Sequence, residues 1–453
     1  MKTSLAQKLI LLTVAVSALF TTACWEQSDA ADASRNLASS IVQANHQDTS
    51  PAPAGSSIEE NRLYLDASLS MKGFVNAQNH SSFDQVIDGI GDILPGCRVF
   101  KYGQSGSEPP ANVSDLITQV GFGRELHEPN FYNLRFNPDD RLIDRLTSES
   151  RQVLSVLLTD GVYSEPAGST SPPVVNAMQR WLEKGYSLGI FMFRSNFDGE
   201  LYSERSRSMS KLKVSVKNRP FYAFVFSPTN EALIDLEEKL LSRFPSMQAL
   251  RFANDAVECE SSWTQALEDT YSYRKPPAAP YHWHMLYPDA FAGSNLLPVR
   301  YSVKCKIAPH YPVASLSFGL TPEYYRWQNG SFQKVDTLPA GYKSAPMAKE
   351  ATTGATQVEL TSDNAAPITT EFEVQFPKDT STRFSFYYLK FTSSIKDLKG
   401  DISNLSTRDD REPTQANRTY RFRELLSAIA DVHFKTRLAS RASTAVFTTL
   451  DNQ

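Results

Sequence analysis

The sequence predicts an α/β domain with a mostly parallel sheet, followed by an antiparallel β-sandwich and a short helical C-terminal tail. Three observations carry this. Strand-like and helix-like segments alternate from residue 58 to about 250, the pattern of a sheet covered by helices on both faces. Val153 to Leu158 is a continuous apolar run, as expected of a central strand buried on both sides. Beyond residue 275 the period becomes two: Val299, Tyr301, Val303, Cys305 and Ile307 alternate with Arg300, Ser302, Lys304 and Lys306.

The elements follow in order. Arg62 to Leu65 reads as a short strand ending at Asp66. Phe83, Val86, Ile87, Ile90, Ile93 and Leu94 fall at helical spacing, behind a Ser81 or Ser82 cap and ahead of Pro95. Arg98 to Tyr102 is a second strand, and Asn137-Pro138 opens a short helix over Asp139 to Leu146. Pro173 to Lys184 is a helix closed by Gly185, and Tyr186 to Phe193 is a second buried strand. Phe221 to Phe226 and then Asn230 to Arg243 repeat the unit, giving an α/β domain over 58–250. In the sandwich, 275–395, Asn329-Gly330 between strand-like flanks is a hairpin signal. Phe372, Val374 and Phe376, then Arg383 to Phe391, add further strands. Residues 396–453 form a polar segment and one amphipathic helix carrying Phe422, Leu425, Leu426 and Ile429.

Composition narrows the class. A chain of 453 residues with 41% hydrophobic and 21% charged residues is an ordinary globular protein of two or three domains. That excludes collagen-like, coiled-coil and wholly disordered chains. Net charge is −4, or −6 once Lys2 and Lys8 of the first 23 residues are set aside. Such a balance gives no electrostatic reason to expect nucleic acid.

The N-terminus reads as a targeting segment. Lys2 and Lys8 precede and enter the apolar run Leu9 to Phe20, which is too short to span a bilayer comfortably. Thr21-Thr22-Ala23 and then Cys24 follow. The order resembles a bacterial lipoprotein signal, with Thr21 where such signals usually carry an aliphatic residue. The resemblance implies that residues 1–23 are removed, that Cys24 is lipidated, and that the protein sits in the cell envelope facing the periplasm or outer membrane. Plain secretion with cleavage near Ala23 is the alternative. Residues 24–57, rich in Ala, Ser, Asp, Gln and Pro, read as a flexible tether. A lipidated Cys24 leaves Cys97, Cys259 and Cys305, enough for at most one disulfide, and no CxxC suggests zinc.

The chemistry concentrates at two strand ends. Asp66-Ala67-Ser68-Leu69-Ser70 follows the first strand, and Thr159-Asp160-Gly161 follows the central one. Loops at the carboxyl ends of parallel strands gather at one edge, where ligands bind. Asp66, Ser68, Ser70 and Asp160 are therefore a candidate set of hard oxygen donors suited to Mg²⁺, Mn²⁺ or Ca²⁺. Two facing carboxylates repel each other unless a cation lies between them.

LYLDASLSM and VLLTDG together resemble the metal-ion-dependent adhesion site of the von Willebrand factor A domain. In that family an Asp-x-Ser-x-Ser loop, a distant Thr and a later Asp hold the ion, leaving one position for an acidic group of a protein partner. The resemblance implies a Rossmann-like fold over about 58–245, a divalent cation, and metal-dependent protein binding or scaffolding with no catalysis. The middle Thr has no counterpart; Asn130 or Asn133 could supply an amide oxygen, or the position is empty. Two other readings stand beside it: a metal-assisted hydrolase using Asp66 and Asp160, and a structural interaction protein whose metal site is degenerate. The second Asp of a haloacid dehalogenase motif is absent, Ser68 standing in its place, and GxSxG, Walker A and GxGxxG motifs do not occur. His282-Trp283-His284 reads as an aromatic strand before a metal pair. The basic stretch from Ser203 to Arg219 reads as a solvated hairpin, with anionic lipid or an acidic partner as the functional alternative.

Overall fold

The computed structural model describes residues 28–41, 57–76, 81–105, 112–135, 139–149, 151–162, 173–202, 211–253, 255–263, 282–286, 295–308, 310–346, 355–359, 368–399, 402, 404–409, 412–441 and 443–449. The expectations for residues 1–27 with Cys24, for the tether over 42–56 and for the basic residues 203–210 lie outside the described residues. So do the side chains of the His282-Trp283-His284 run.

Helix α1 covers residues 28–41 and is followed by the α/β strands β1 (Glu60–Asp66), β2 (Arg98–Tyr102), β3 (Ile117–Val120), β4 (Val153–Thr159), β5 (Ser187–Tyr202), β6 (Lys211–Ser227) and β7 (Gln248–Phe252). Between them run α2 (Lys72–Val75), α3 (Ser82–Ile93), α4 (Asp139–Ser148), α5 (Pro173–Glu183) and α6 (Asn230–Arg243). Helix α3 starts as its sequence requires: the Ser81 side chain accepts from the Asp84 N–H, and Phe83, Val86, Ile87 and Ile90 are buried.

The sheet order is β3-β2-β1-β4-β6-β5-β7. Strand β1 pairs in parallel with β2 and β4, while β3, β6, β5 and β7 all join through antiparallel pairings. The sheet is thus mixed around a parallel centre and not mostly parallel. The cause lies in β5 and β6, two limbs of one long hairpin whose connection is too short for a parallel crossover. Beyond residue 222 toward its tip this hairpin has left β4 behind and forms an arm over α2. There Phe74 meets Phe197 and Phe221 edge-on, and a Cβ added to Gly73 would lie 2.3 Å from the Phe197 ring.

The second region holds β8 (Val257–Trp263), β9 (His282–Leu286), β10 (Leu296–Ile307), β11 (Val313–Gln328), β12 (Ser331–Val335), β13 (Lys343–Pro346), β14 (Ala355–Glu359), β15 (Ile368–Pro377), β16 (Phe384–Leu398), β17 (Ser406–Thr407), β18 (Thr419–Tyr420) and β19 (Thr444–Thr449), with α7 (Phe422–Arg441) before the last. Two sheets, β13-β15-β10-β8 and β12-β11-β16-β19-β9, face each other through Phe372–Phe391 and Phe376–Tyr387 ring contacts. The Asn329-Gly330 hairpin joins β11 to β12, both residues having positive φ as a type I′ turn requires. Cys259 and Cys305 are register partners on β8 and β10 and form a disulfide, their Cα atoms 4.2 Å apart; Cys97 is free.

Three sequence expectations change here. Residues 28–41 are helical and not a tether: Ala30, Ser34 and Ala38 are buried against Tyr325, Phe384, Phe386, Tyr388 and Phe447 on the outer face of the sandwich. An Ala- and Ser-rich helix lies this close because small side chains let its backbone approach the aromatic sheet. Residues 396–453 are not a tail, since α7 packs into the sandwich core and β19 pairs with β16 and, in parallel, with β9. The sandwich is therefore not purely antiparallel. Finally, the composition shift near 250–275 does not divide the apolar core, which runs from Tyr64, Leu142 and Trp181 through Phe252 and α7 to Tyr301 and Phe391. Among the described residues no helix is long and apolar enough to cross a membrane.

Candidate metal centre

Strands β1 and β4 lie side by side in register, Leu65 opposite Leu158, so Asp66 and Thr159-Asp160 leave the sheet together at its carboxyl edge. The loop after β1 turns at once because Asp66 Oδ1 accepts the Ser68 N–H at 2.9 Å, an Asx turn written into the Asp-x-Ser spacing. Asp66 Oδ2 accepts from the Thr159 hydroxyl at 2.8 Å, which ties the two loops together. Ser68 Oγ and Ser70 Oγ lie 2.9 Å apart. After Asp160, Gly161 has φ of +70°, and a Cβ there would stand 2.6 Å from the Tyr222 ring, so this turn requires glycine.

Asp66, Ser68 and Asp160 are buried and Ser70 is half-buried, so the structure brings together all four residues named from the sequence. It also adds a fifth. Asp139, the first residue of α4, is buried, and its carboxyl is pushed well up, first by burial and then by the charges of Asp66, Asp140 and Asp160. Neither Asn130 nor Asn133 takes part: both are exposed, and Asn133 Oδ1 accepts from Lys101 Nζ at 2.9 Å. What their segment contributes is backbone. Leu134 accepts from the Leu69 N–H and donates to Ala67 O, both at 2.9 Å, pinning the serine loop from the side.

The electrostatics are one-sided. Burial, then repulsion by Asp160, raises the Asp66 carboxyl to about 6, and burial raises Asp160 against the pull of Arg219. Asp160 Oδ1 accepts the Val162 N–H at 3.3 Å, whereas Asp160 Oδ2 and Asp139 Oδ1 are buried without a hydrogen-bond partner. The buried cation beside them is Arg219, with Nη2 3.9 Å from Asp160 Oδ2. It comes from the basic stretch read as solvated; its neighbours Lys211, Lys213 and Lys217 are exposed on the arm, as expected.

Three buried carboxylates against one guanidinium leave a deficit of two positive charges when all are ionised. The donors are all hard oxygens, and two buried carboxylate oxygens accept no hydrogen bond, so these residues fit a divalent cation. Among the described residues no three His, Cys, Asp or Glu side chains converge as a ready ligand set, so the serine hydroxyls are needed to complete one. The hydrolase alternative gains nothing from the described histidines. His127 engages Asp84 and Asp88, His310 engages Arg251, and His433 engages Tyr311.

No family model matches the chain, and no curated protein matches it. Two solved structures show a faint likeness. One is a family 123 glycoside hydrolase from Clostridium perfringens, 7% identical with a TM-score of 0.20, covering 44% of this chain and 27% of the hydrolase. The other is the CfaE adhesin of CFA/I enterotoxigenic E. coli, 8% identical with a TM-score of 0.20, covering 58% of this chain and 80% of the adhesin. The chain thus spans about a quarter of the hydrolase, neither protein is described as a von Willebrand factor A domain, and likeness at this level carries no argument.

Proposed function

We propose that the chain is an exported, lipid-anchored envelope protein, tethered through Cys24, that binds a protein partner through a divalent cation. Asp66, Ser68, Ser70 and Asp160 would hold Mg²⁺, Mn²⁺ or Ca²⁺, with Asp139 adding its charge from beside them, and an acidic group of the partner would meet the cation at the half-buried Ser70 side. When bound, the ion supplies the positive charge that pairs the site with a carboxylate. The chain's own residues do the rest: the Asx turn aims the serine hydroxyls, Thr159 fixes the Asp66 carboxylate, and Gly161 lets the Asp160 loop turn beneath Tyr222. One observation carries the reading, namely two buried carboxylate oxygens that accept no hydrogen bond in a cluster with one guanidinium nearby. A second reading, in which Arg219 permanently serves as the counter-ion of a purely structural site, draws on the same 3.9 Å approach.

Titration calorimetry with Mn²⁺ tests the proposal. Wild type should give a saturable one-site heat, Asp139→Asn should weaken it at least about tenfold, and Asp66→Ala should abolish it. Absence of heat with millimolar Mn²⁺, Mg²⁺ and Ca²⁺ alike would leave the structural reading.

A further inference from the structure

The candidate cation site is covered by the chain itself. Residues 412–422, which enter α7, lie against Asp160, Arg219 and Tyr222 and make one polar contact with each. Arg219 Nη1 donates to Ala416 O at 2.6 Å, Tyr222 Oη donates to Thr419 Oγ1 at 2.8 Å, and Thr419 Oγ1 donates to Asp160 O at 3.4 Å. The Phe422 ring stacks on Tyr222 with centroids 4.1 Å apart. Thr419 is fully buried, whereas the sheet that holds this stretch is slight, two residues of β18 against two of β17.

Arg219 stands at the centre. Its guanidinium lies 4.9 Å over the Phe197 ring, is nearly fully buried, and keeps a buried Nε without a hydrogen-bond partner. The side chain therefore has two attachments, the carbonyl of Ala416 and the charge of Asp160. A divalent cation beside Asp160 would face this guanidinium across a few ångströms of dry protein, where like charges repel strongly. Because the guanidinium is buried, it can move only if the segment covering it moves.

We infer that residues 412–422 are a latch held shut by Arg219, and that a divalent cation at Asp66, Ser68, Ser70 and Asp160 expels the guanidinium and frees the latch. Cation and latch then compete for one site, and uncovering the Asp160 side is what gives a partner's acidic group full access to the ion. The inference rests on the cation reading above and adds that the site is closed in the absence of the ion.

Hydrogen exchange of the full chain, with Mn²⁺ as the probe, tests it. Saturating Mn²⁺ should speed exchange of amides in 412–422 by about tenfold, and Arg219→Gln should bind Mn²⁺ about tenfold more tightly than wild type, as reciprocal coupling demands. Tyr222→Phe keeps the stacked ring and loses the bond to Thr419. It should loosen 412–422 without metal and tighten Mn²⁺ binding, an arm that survives if Arg219→Gln folds poorly. Equal Mn²⁺ affinity in wild type and both variants, or exchange in 412–422 unchanged or slowed by Mn²⁺, overturns the latch and leaves the cation site standing. No binding by any of the three overturns the cation reading, and the latch with it.

Discussion

Strand β1 carries buried charge at both ends, and the two ends are built on opposite principles. At its start Arg62 is clasped by Glu60 through two bonds of 2.9 Å and by Glu149 through bonds of 2.8 and 2.9 Å, while Arg98 adds a bond to Glu60 at 3.0 Å. Each group there has its partner, and the hydrogen bonds from Arg62 lead in holding Glu60 below the usual carboxylate range. Four residues later Asp66, Asp139 and Asp160 face one distant guanidinium, with two oxygens that accept no hydrogen bond. The first end stabilises the strand as built. The second gathers carboxylates beside little positive charge, so burial and mutual repulsion push the Asp66 and Asp139 carboxyls up, the arrangement expected of the binding site proposed above.

The largest test of that contrast is Arg62→Ala. It leaves Glu60 with Arg98 alone and Glu149 with only the 3.8 Å approach of Arg145, and urea unfolding should show a loss of about 2–3 kcal/mol. Asp66→Asn should do the reverse in metal-free buffer. A carboxyl raised to about 6 from 3.8 binds its proton more tightly in the folded state, so wild-type stability falls as pH rises through that window. Relative to Asp66→Asn, wild type should lose on the order of 2 kcal/mol between pH 4 and pH 7, whereas the depressed Glu60 works in the opposite sense and loses its contribution on acidification. A flat difference between the two proteins across this range would equate the two ends of the strand. Mn²⁺ at ten times its dissociation constant should then restore about 1.4 kcal/mol at pH 7 and much less at pH 5, seen as a shift in melting temperature. Ser68→Ala should be mildest, changing metal-free stability by less than about 1 kcal/mol while weakening the Mn²⁺ response.

Local chemistry was legible in the sequence, and long-range chemistry was not. The bounds of β2, the Ser81 cap and the Asn329-Gly330 turn follow from spacing within a few residues, and the convergence of Asp66 with Asp160 is the exception, read from two strand ends meeting at one sheet edge. Asp139 was missed because an acidic residue in the first turn of a helix satisfies the helix dipole anyway, so nothing local marks it as part of a site. Arg219 was absorbed into a run of lysines and arginines, and only the arm geometry turns it inward while Lys217 stays out. The antiparallel insertion of β6 beside β4 joins segments more than 60 residues apart, and the docking of α1 joins segments some hundreds apart, which no window along the chain compares.

The position of α1 has a consequence for how the chain is made. Its buried face rests on Phe384, Phe386 and Phe447, and the whole α/β region lies between helix and sheet in sequence. At ordinary synthesis rates the helix emerges roughly 20–70 s before those aromatic residues exist. During that interval its alanine face has no native surface to cover, and the sandwich cannot be finished until β19, near the end of the chain, has arrived to complete the sheet. The α/β region can begin folding from contacts within itself, but the sandwich must wait for segments some 400 residues apart, α1 and β19. Folding of the second region should therefore be slow, late and dependent on protection of unfinished strands, as contact between distant segments generally is.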